Sequence, residues 1–204
     1  MTPRPRKATD AEILAAAARV MGRVAPAGLT LAAVAADAGL TASAVVQRFG
    51  SKQGLLAALT RRAAEEVPNA FARLRRKHRS PLAALRAHAR AFARMGTSAG
   101  GLAHHLAYLQ LDLTDRAMHA AARAQASATR AELAALLADA VASGELAPGA
   151  DPRRLARLVE VTLPGSLMTW ALYEEGSADA WVRRDLDEVL RPHLPVPPAR
   201  VRRR

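Results

Sequence analysis

Residues 29–52 constrain the fold more than any other stretch of the chain. They read Leu-Thr-Leu-Ala-Ala-Val-Ala-Ala-Asp-Ala-Gly-Leu-Thr-Ala-Ser-Ala-Val-Val-Gln-Arg-Phe-Gly-Ser-Lys. Leu31 to Ala38 has the character of a short helix. Gly39 follows, and glycine enters positive φ without steric cost, which a sharp turn after a helix requires. Thr41 then caps a second short helix that ends near Arg48 or Phe49, as Thr30 caps the first. A helix, a tight turn and a second helix make the arrangement that delivers one helix to the DNA major groove.

The charge distribution agrees with a polyanion at that end. The net charge is +12. Residues 1–80 hold 14 Lys/Arg against 5 Asp/Glu, whereas residues 81–199 hold 12 Arg against 13 acidic residues. The tail from Arg200 to Arg204 adds four arginines. A positive field concentrated at one end is the electrostatic footprint of a nucleic-acid partner. An arginine-rich genomic habit would raise arginine everywhere, and the middle of the chain is balanced.

Ala and Leu dominate and aromatics make up only 3% of the chain, which favours helices over sheets. The chain has no cysteine, so it holds no disulfide or thiolate metal site, in keeping with a cytoplasmic protein. No apolar run reaches the ~18 residues of a membrane span, and no apolar leader opens the chain.

Cap signals and apolar spacing predict nine helices and no strands. Thr9 and Glu12 form a capping-box pair ahead of Ile13, Leu14, Ala17 and Val20. Ser51 caps a long fourth helix that Pro68 should kink or break. Ser80-Pro81 opens a fifth helix, residues 96–101 read as a loop, and a sixth helix carries His104 to Leu111. A seventh runs from Thr114-Asp115 to Gly144. The eighth begins at Asp151-Pro152, reaches about Gly176 and should kink at Pro164-Gly165. A ninth ends before Pro192, and the proline-rich tail beyond it should be disordered.

With those elements placed, the first ~60 residues resemble the DNA-binding domain of the tetracycline-repressor (TetR) family. The resemblance is carried by Ile13 to Ala17, Gly28 to Leu31, Val34 to Thr41 and Phe49 to Leu56, in that order. Ser143 to Leu146 and Trp181 to Leu186 are similar to many members in the second half. The resemblance implies an all-α regulator, with a helix-turn-helix domain over 1–54 and an effector-binding and dimerisation domain over 55–192. A disordered basic tail would fill 193–204. It implies a homodimer formed through helices eight and nine, a palindromic operator and release from double-stranded DNA by a small molecule. The chain departs from the pattern at Val46, where members usually carry a phosphate-contacting Tyr, and at Arg48, where they often carry His or Tyr.

The DNA-contacting residues expected on this reading are Thr30, Thr41, Ala42, Ser43, Gln47, Arg48 and Lys52. The threonine hydroxyls sit at helix N-termini, suited to phosphate oxygens as well as to capping. Ala42 and Ser43 are sized for thymine methyls or small hydrogen bonds. Gln47 suits adenine, and Arg48 suits guanine or a phosphate. Lys52 is a point charge for the backbone or a solvated lysine. Arg4, Arg6 and Lys7 form an arm for a minor groove or for phosphates, or an undirected tail.

Helices four to seven have room between them for a mostly apolar effector. The larger candidates are Phe71, Phe92, Met95, His105, Tyr108, Leu109, Met118 and Trp170, each of which also reads as ordinary core. No metal and no cofactor is expected. The adjacent His104 and His105 point to different sides of a helix, and no carboxylate completes a ligand spacing. No enzyme motif is present. A helical ligand-binding protein of the same fold with impaired DNA recognition stays open because of Val46, as does a non-specific DNA-coating protein.

Overall fold

The computed structural model describes residues 8–94 and 98–195. The arm residues Arg4, Arg6 and Lys7, the ligand candidate Met95, and the tail from residue 196 lie outside the described residues. Within them the protein has nine α-helices and no strand. These are α1 (Asp10–Met21), α2 (Leu31–Ala38), α3 (Ala42–Phe49), α4 (Lys52–Lys77), α5 (Pro81–Ala93), α6 (Ala99–Thr114), α7 (Arg116–Ala142), α8 (Pro152–Tyr173) and α9 (Ala178–Leu190).

Helix starts follow the cap chemistry. Thr9 accepts from the Glu12 amide while the Glu12 carboxylate accepts from the Thr9 amide, a complete capping box. Asp115 caps α7, accepting from the amides of Ala117 at 2.9 Å and Met118 at 3.0 Å. One stretch differs from expectation, and the two prolines expected to disturb helices lie within them. Pro68 and Pro164 lie inside α4 and α8 without ending them. Each proline is exposed while neighbours one or three positions away are buried, Val67 and Phe71 in α4, Leu163 and Leu167 in α8. Burial of the adjoining face outweighs one missing amide hydrogen bond. Helix α6 starts at Ala99, inside the stretch read as a loop.

The chain forms two compact units. The first runs to Glu66 and takes in Gly100–Ser127; the second takes in Val67–Ala99 and the chain from Ala128 on. The core of the first is built from Ile13, Ala17, Leu29, Val34, Val45, Leu55 and Leu56, with Tyr108 of α6 and Met118 of α7 joining it. Each fully buried Leu or Ile contributes roughly 1.5–3 kcal/mol. The Tyr108 hydroxyl donates to the Val24 carbonyl at 3.2 Å, so the ring is buried with its polar end satisfied.

In the second unit, α5, α8 and α9 pack on one another. Leu85, Leu155, Val159, Leu167, Leu186 and Leu190 are buried there. Ser166, buried on α8, lies 2.7 Å from an Asp185 carboxylate oxygen on α9 and 2.8 Å from the Thr162 carbonyl. His193, placed by sequence in the tail, sits in a 3-10 turn, and its carbonyl accepts from the Ala147 amide at 2.7 Å. No helix among the described residues is long and apolar enough to cross a membrane.

Candidate nucleic-acid interface

The turn between α2 and α3 has the geometry that its glycine permits. Gly39 takes φ 68° and ψ 34°, and the Leu40 amide donates back to the Ala35 carbonyl at 2.8 Å. Val34, Ala35 and Val45 are buried on the two helices. Val45 and the half-buried Phe49 hold α3 against the first unit's core. The face of α3 left in solvent carries Ala42, Ser43, Val46, Gln47 and Arg48.

Both capping threonines are in place. Thr30 Oγ1 accepts from the Ala33 amide at 3.0 Å, and Thr41 Oγ1 accepts from the Ala44 amide at 3.3 Å. Thr41 also shares a hydrogen bond with the Ser43 hydroxyl at 3.0 Å. A capping hydroxyl uses a lone pair and keeps its proton, so Thr30 can donate to a phosphate, and the Thr41–Ser43 pair keeps one hydroxyl proton for the same use. The start of α3 thus presents two linked hydroxyls beside unpaired helix N–H groups, a surface suited to anions.

The two cations are more committed than their spacing suggested. Arg48 Nη1 donates to the Ala8 carbonyl and to Asp10 Oδ1, the latter at 3.2 Å. The guanidinium thereby ties the far end of α3 to the start of α1. Lys52 Nζ donates to the Pro26 carbonyl, which leaves two of its three protons for other acceptors. Gln47 is exposed, and so is Val46, at 44%.

An ion-pair clamp that the sequence reading passed over stiffens the motif from behind. Asp37 on α2 receives Arg23 and Arg19, both on the α1 side, at 2.6 Å each. Hydrogen bonds from Arg23 and then Arg19 hold the Asp37 carboxyl below its ordinary value. The signal was available as two arginines one turn apart ahead of the lone acid in α2, but spacing alone does not show that they converge.

The ligand candidates are divided between the two units. In the first, Tyr108 and Met118 are core residues, Leu109 is 47% exposed and His105 is half-buried. Burial, and then the neighbouring His104, lower the His105 pKa. In the second unit, Phe71 is buried with its ring 4.8 Å from that of His88. Burial pushes the His88 pKa down. Phe92 is half-buried on α5. Trp170 is buried and its indole donates to the Gly176 carbonyl at 3.2 Å. It borders a cleft of about 530 Å³ beside Ala93 and Ala178. In the first unit a cleft of about 490 Å³ lies beside Lys52, Leu56, Leu111 and Met118. No cluster of three metal-ligating side chains occurs among the described residues.

Helix α8 also presents an apolar stripe to solvent. Leu158, Val161, Met168 and Leu172 lie 41%, 66%, 50% and 84% exposed, at spacings that place them on one side of the helix. Exposed Gly165 sits within the same stripe. At its end Tyr173 stacks on Trp181 of α9, centroids 6.0 Å apart, and the Arg184 guanidinium lies 4.5 Å from the Trp181 ring.

Residues 13–59 match the profile of the bacterial regulatory proteins of the tetR family. Residues 80–186 match that of the tetracyclin repressor-like C-terminal domain. Among solved structures the chain is similar to SmeT, the repressor of the Stenotrophomonas maltophilia multidrug efflux pump SmeDEF, at 24% identity over 97% of each chain and a TM-score of 0.65. It is similar to a TetR transcription regulator from Haloarcula marismortui, at 18% identity over 91% of this chain and 98% of that one, TM-score 0.72. It is also similar to FadR from Bacillus subtilis in complex with stearoyl-CoA, at 18% identity over 89% and 98%, TM-score 0.65. At these identities the likeness is one of fold. No curated protein matches the chain.

Proposed function

Because the chain belongs to the TetR family of bacterial regulatory proteins, and so is a DNA-binding transcription regulator with a ligand-binding domain rather than an enzyme, we propose that it acts in the cytoplasm as a homodimeric repressor. It binds a palindromic operator and is released by a small, mostly apolar effector. The observation that carries the DNA reading is the exposed start of α3, where Thr41, Ala42 and Ser43 stand beside Gln47 beyond a left-handed Gly39. In a two-fold dimer a pair of such helices meets half-sites about 34–36 Å apart.

The roles proposed on DNA follow the chemistry of each group. Thr30, Thr41 and Lys52 contact phosphates, and Ala42, Ser43 and Gln47 face base edges. Arg48 contributes charge near the backbone while it stays bonded to α1. The DNA-binding part is residues 1–54, and residues 55–192 serve the effector and the dimer. The apolar stripe of α8, together with α9, supports a symmetric four-helix interface, and Gly165 allows close approach there.

Release is a linkage effect. An effector frees DNA only as far as it prefers the state that does not bind the operator. Helix α4 joins the recognition motif to the second unit along one continuous helix, so it is the element through which effector binding would act. Phe71, Phe92, Met95, His105, Tyr108, Leu109, Met118 and Trp170 are proposed as the effector-responsive set.

The exposed, apolar Val46 and the engaged Arg48 favour one second reading, a ligand-binding protein of this fold with weakened specific DNA recognition. Selection of random duplex DNA on the full protein at about 150 mM salt, where non-specific binding is weakened, separates the two. A recovered palindrome is expected. Retention of all sequences alike, or of none, would reject the repressor reading.

A further inference from the structure

Helix α5 carries Arg86, Arg90 and Arg94 at successive turns, and α9 carries Asp187 and Asp179 about two turns apart. The two helices pack together, and their charges form rungs. Arg86 Nη2 meets Asp187 Oδ1 at 3.0 Å, and Arg90 Nε meets Asp179 Oδ1 at 3.5 Å. Rising numbers on α5 pair with falling numbers on α9. At the third rung α9 has run out, because Ser177 caps it and Ala178 opens it. Arg94, the residue that ends α5, therefore finds no carboxylate, and no ion pair or hydrogen bond reaches its guanidinium among the described residues.

In place of an acid, Arg94 borders the cleft of about 530 Å³. Ala93, Trp170 and Ala178 supply apolar lining, while Arg90 and Asp179 form the adjoining rung. The Trp170 indole has already donated its N–H to the Gly176 carbonyl, so the ring is left as an apolar wall. The volume falls in the ~300–1,000 Å³ range of small-molecule sites. An open guanidinium at the rim of an apolar cleft is matched by a planar acceptor of two hydrogen bonds.

We propose that this cleft binds a small molecule with an apolar body and a single carboxylate, which completes the third rung at Arg94 while the body lies against Trp170. The assignment deepens the effector reading and rests on it only for the consequence on DNA, since binding itself is independent of operator recognition.

The test is calorimetric titration of the full protein with 1-naphthaleneacetate and with its neutral amide. The acid is expected to bind about tenfold tighter than the amide. Arg94→Gln is expected to bring the acid to the level of the amide, with an unchanged melting temperature. Arg86→Gln, on a rung that is already paired, should leave the ratio as it was. Equal affinity for acid and amide, a preference that survives Arg94→Gln, or no binding of the acid up to about 1 mM overturns the proposal. Operator occupancy is measured separately on the DNA recovered by selection. Absence of any operator defeats the repressor reading and leaves the titration result standing.

Discussion

Arg48, near the end of the recognition helix, meets Asp10 in the first turn of α1, Nη1 to Oδ1 at 3.2 Å, with the same Nη1 also held by the Ala8 carbonyl. A residue bonded in this way positions the motif as well as carrying charge. The ion pair is largely exposed, with side chains 32% and 68% accessible, so its own contribution is small. The carbonyl contact is part-buried and adds about 1 kcal/mol. Arg48→Met should therefore lower stability by about 1–2 kcal/mol and weaken every duplex to a similar extent. A base-reading arginine would instead relax preference at one operator position. Selection profiles of the two proteins, compared position by position, decide the matter.

Asp37 gives the motif an acid limit. Its carboxyl is held below the ordinary value of 3.8 by Arg23 and Arg19. A depressed folded pKa means that the stabilisation is fully present above the unfolded value and is lost as pH falls through the folded one. Thermal melts should show this contribution constant from neutral pH down to about 5 and declining below 3.8. Asp37→Asn should remove that part of the acid dependence and lower stability at neutral pH. A variant that keeps the wild-type pH profile would contradict the clamp.

Dimerisation through α8 predicts a sharp response to charge in its stripe. Val161 is 66% exposed in the single chain and lies mid-helix between Leu158 and Met168. Val161→Glu would bury an unpaired carboxylate in a symmetric interface, twice per dimer. Sedimentation should show a dimer for the wild-type protein and a monomer of unchanged helicity for the variant. A wild-type protein that sediments as a monomer would remove the basis for a palindromic operator.

Tyr108 links α6 to the chain just before the helix-turn-helix through its bond to the Val24 carbonyl. Tyr108→Phe keeps the buried ring and strands the carbonyl, costing about 1–2 kcal/mol. If the residue is only structural, the loss should show in melting and leave the operator preference intact. A changed effector response with an unchanged melting temperature would point to ligand contact.

Much of this protein is written in its local sequence. The capping box at Thr9 and Glu12, the capping threonines, the left-handed glycine and the apolar spacing in α1 to α5 depend on contacts within a few residues, so helix identities and the recognition motif can be read directly. Helix α6 shows the limit, because its glycines at 100 and 101 signal a loop by propensity while the fold continues them as helix. Pro68 lies within a continuous α4, so of the two outcomes that its position allowed, a kink or a break, the helix does not break.

What spacing could not supply is convergence. Arg48 with Ala8, Asp37 with Arg19 and Arg23, and Lys52 with Pro26 are separated by 40, 18, 14 and 26 positions, and no local signal distinguishes such pairs from solvated charges. The same is true of Tyr108 and Met118, whose size suggested a ligand site and whose places in the first unit's core follow from how α6 and α7 pack. The sequence by itself determined most of the helices, their caps, the turn at Gly39 and the concentration of positive charge at one end, because those depend on backbone geometry and composition. Only the tertiary structure decided which charges are spent on the protein and which, like Arg94, are left to meet a partner, because pairing over distance depends on where packed helices bring their side chains.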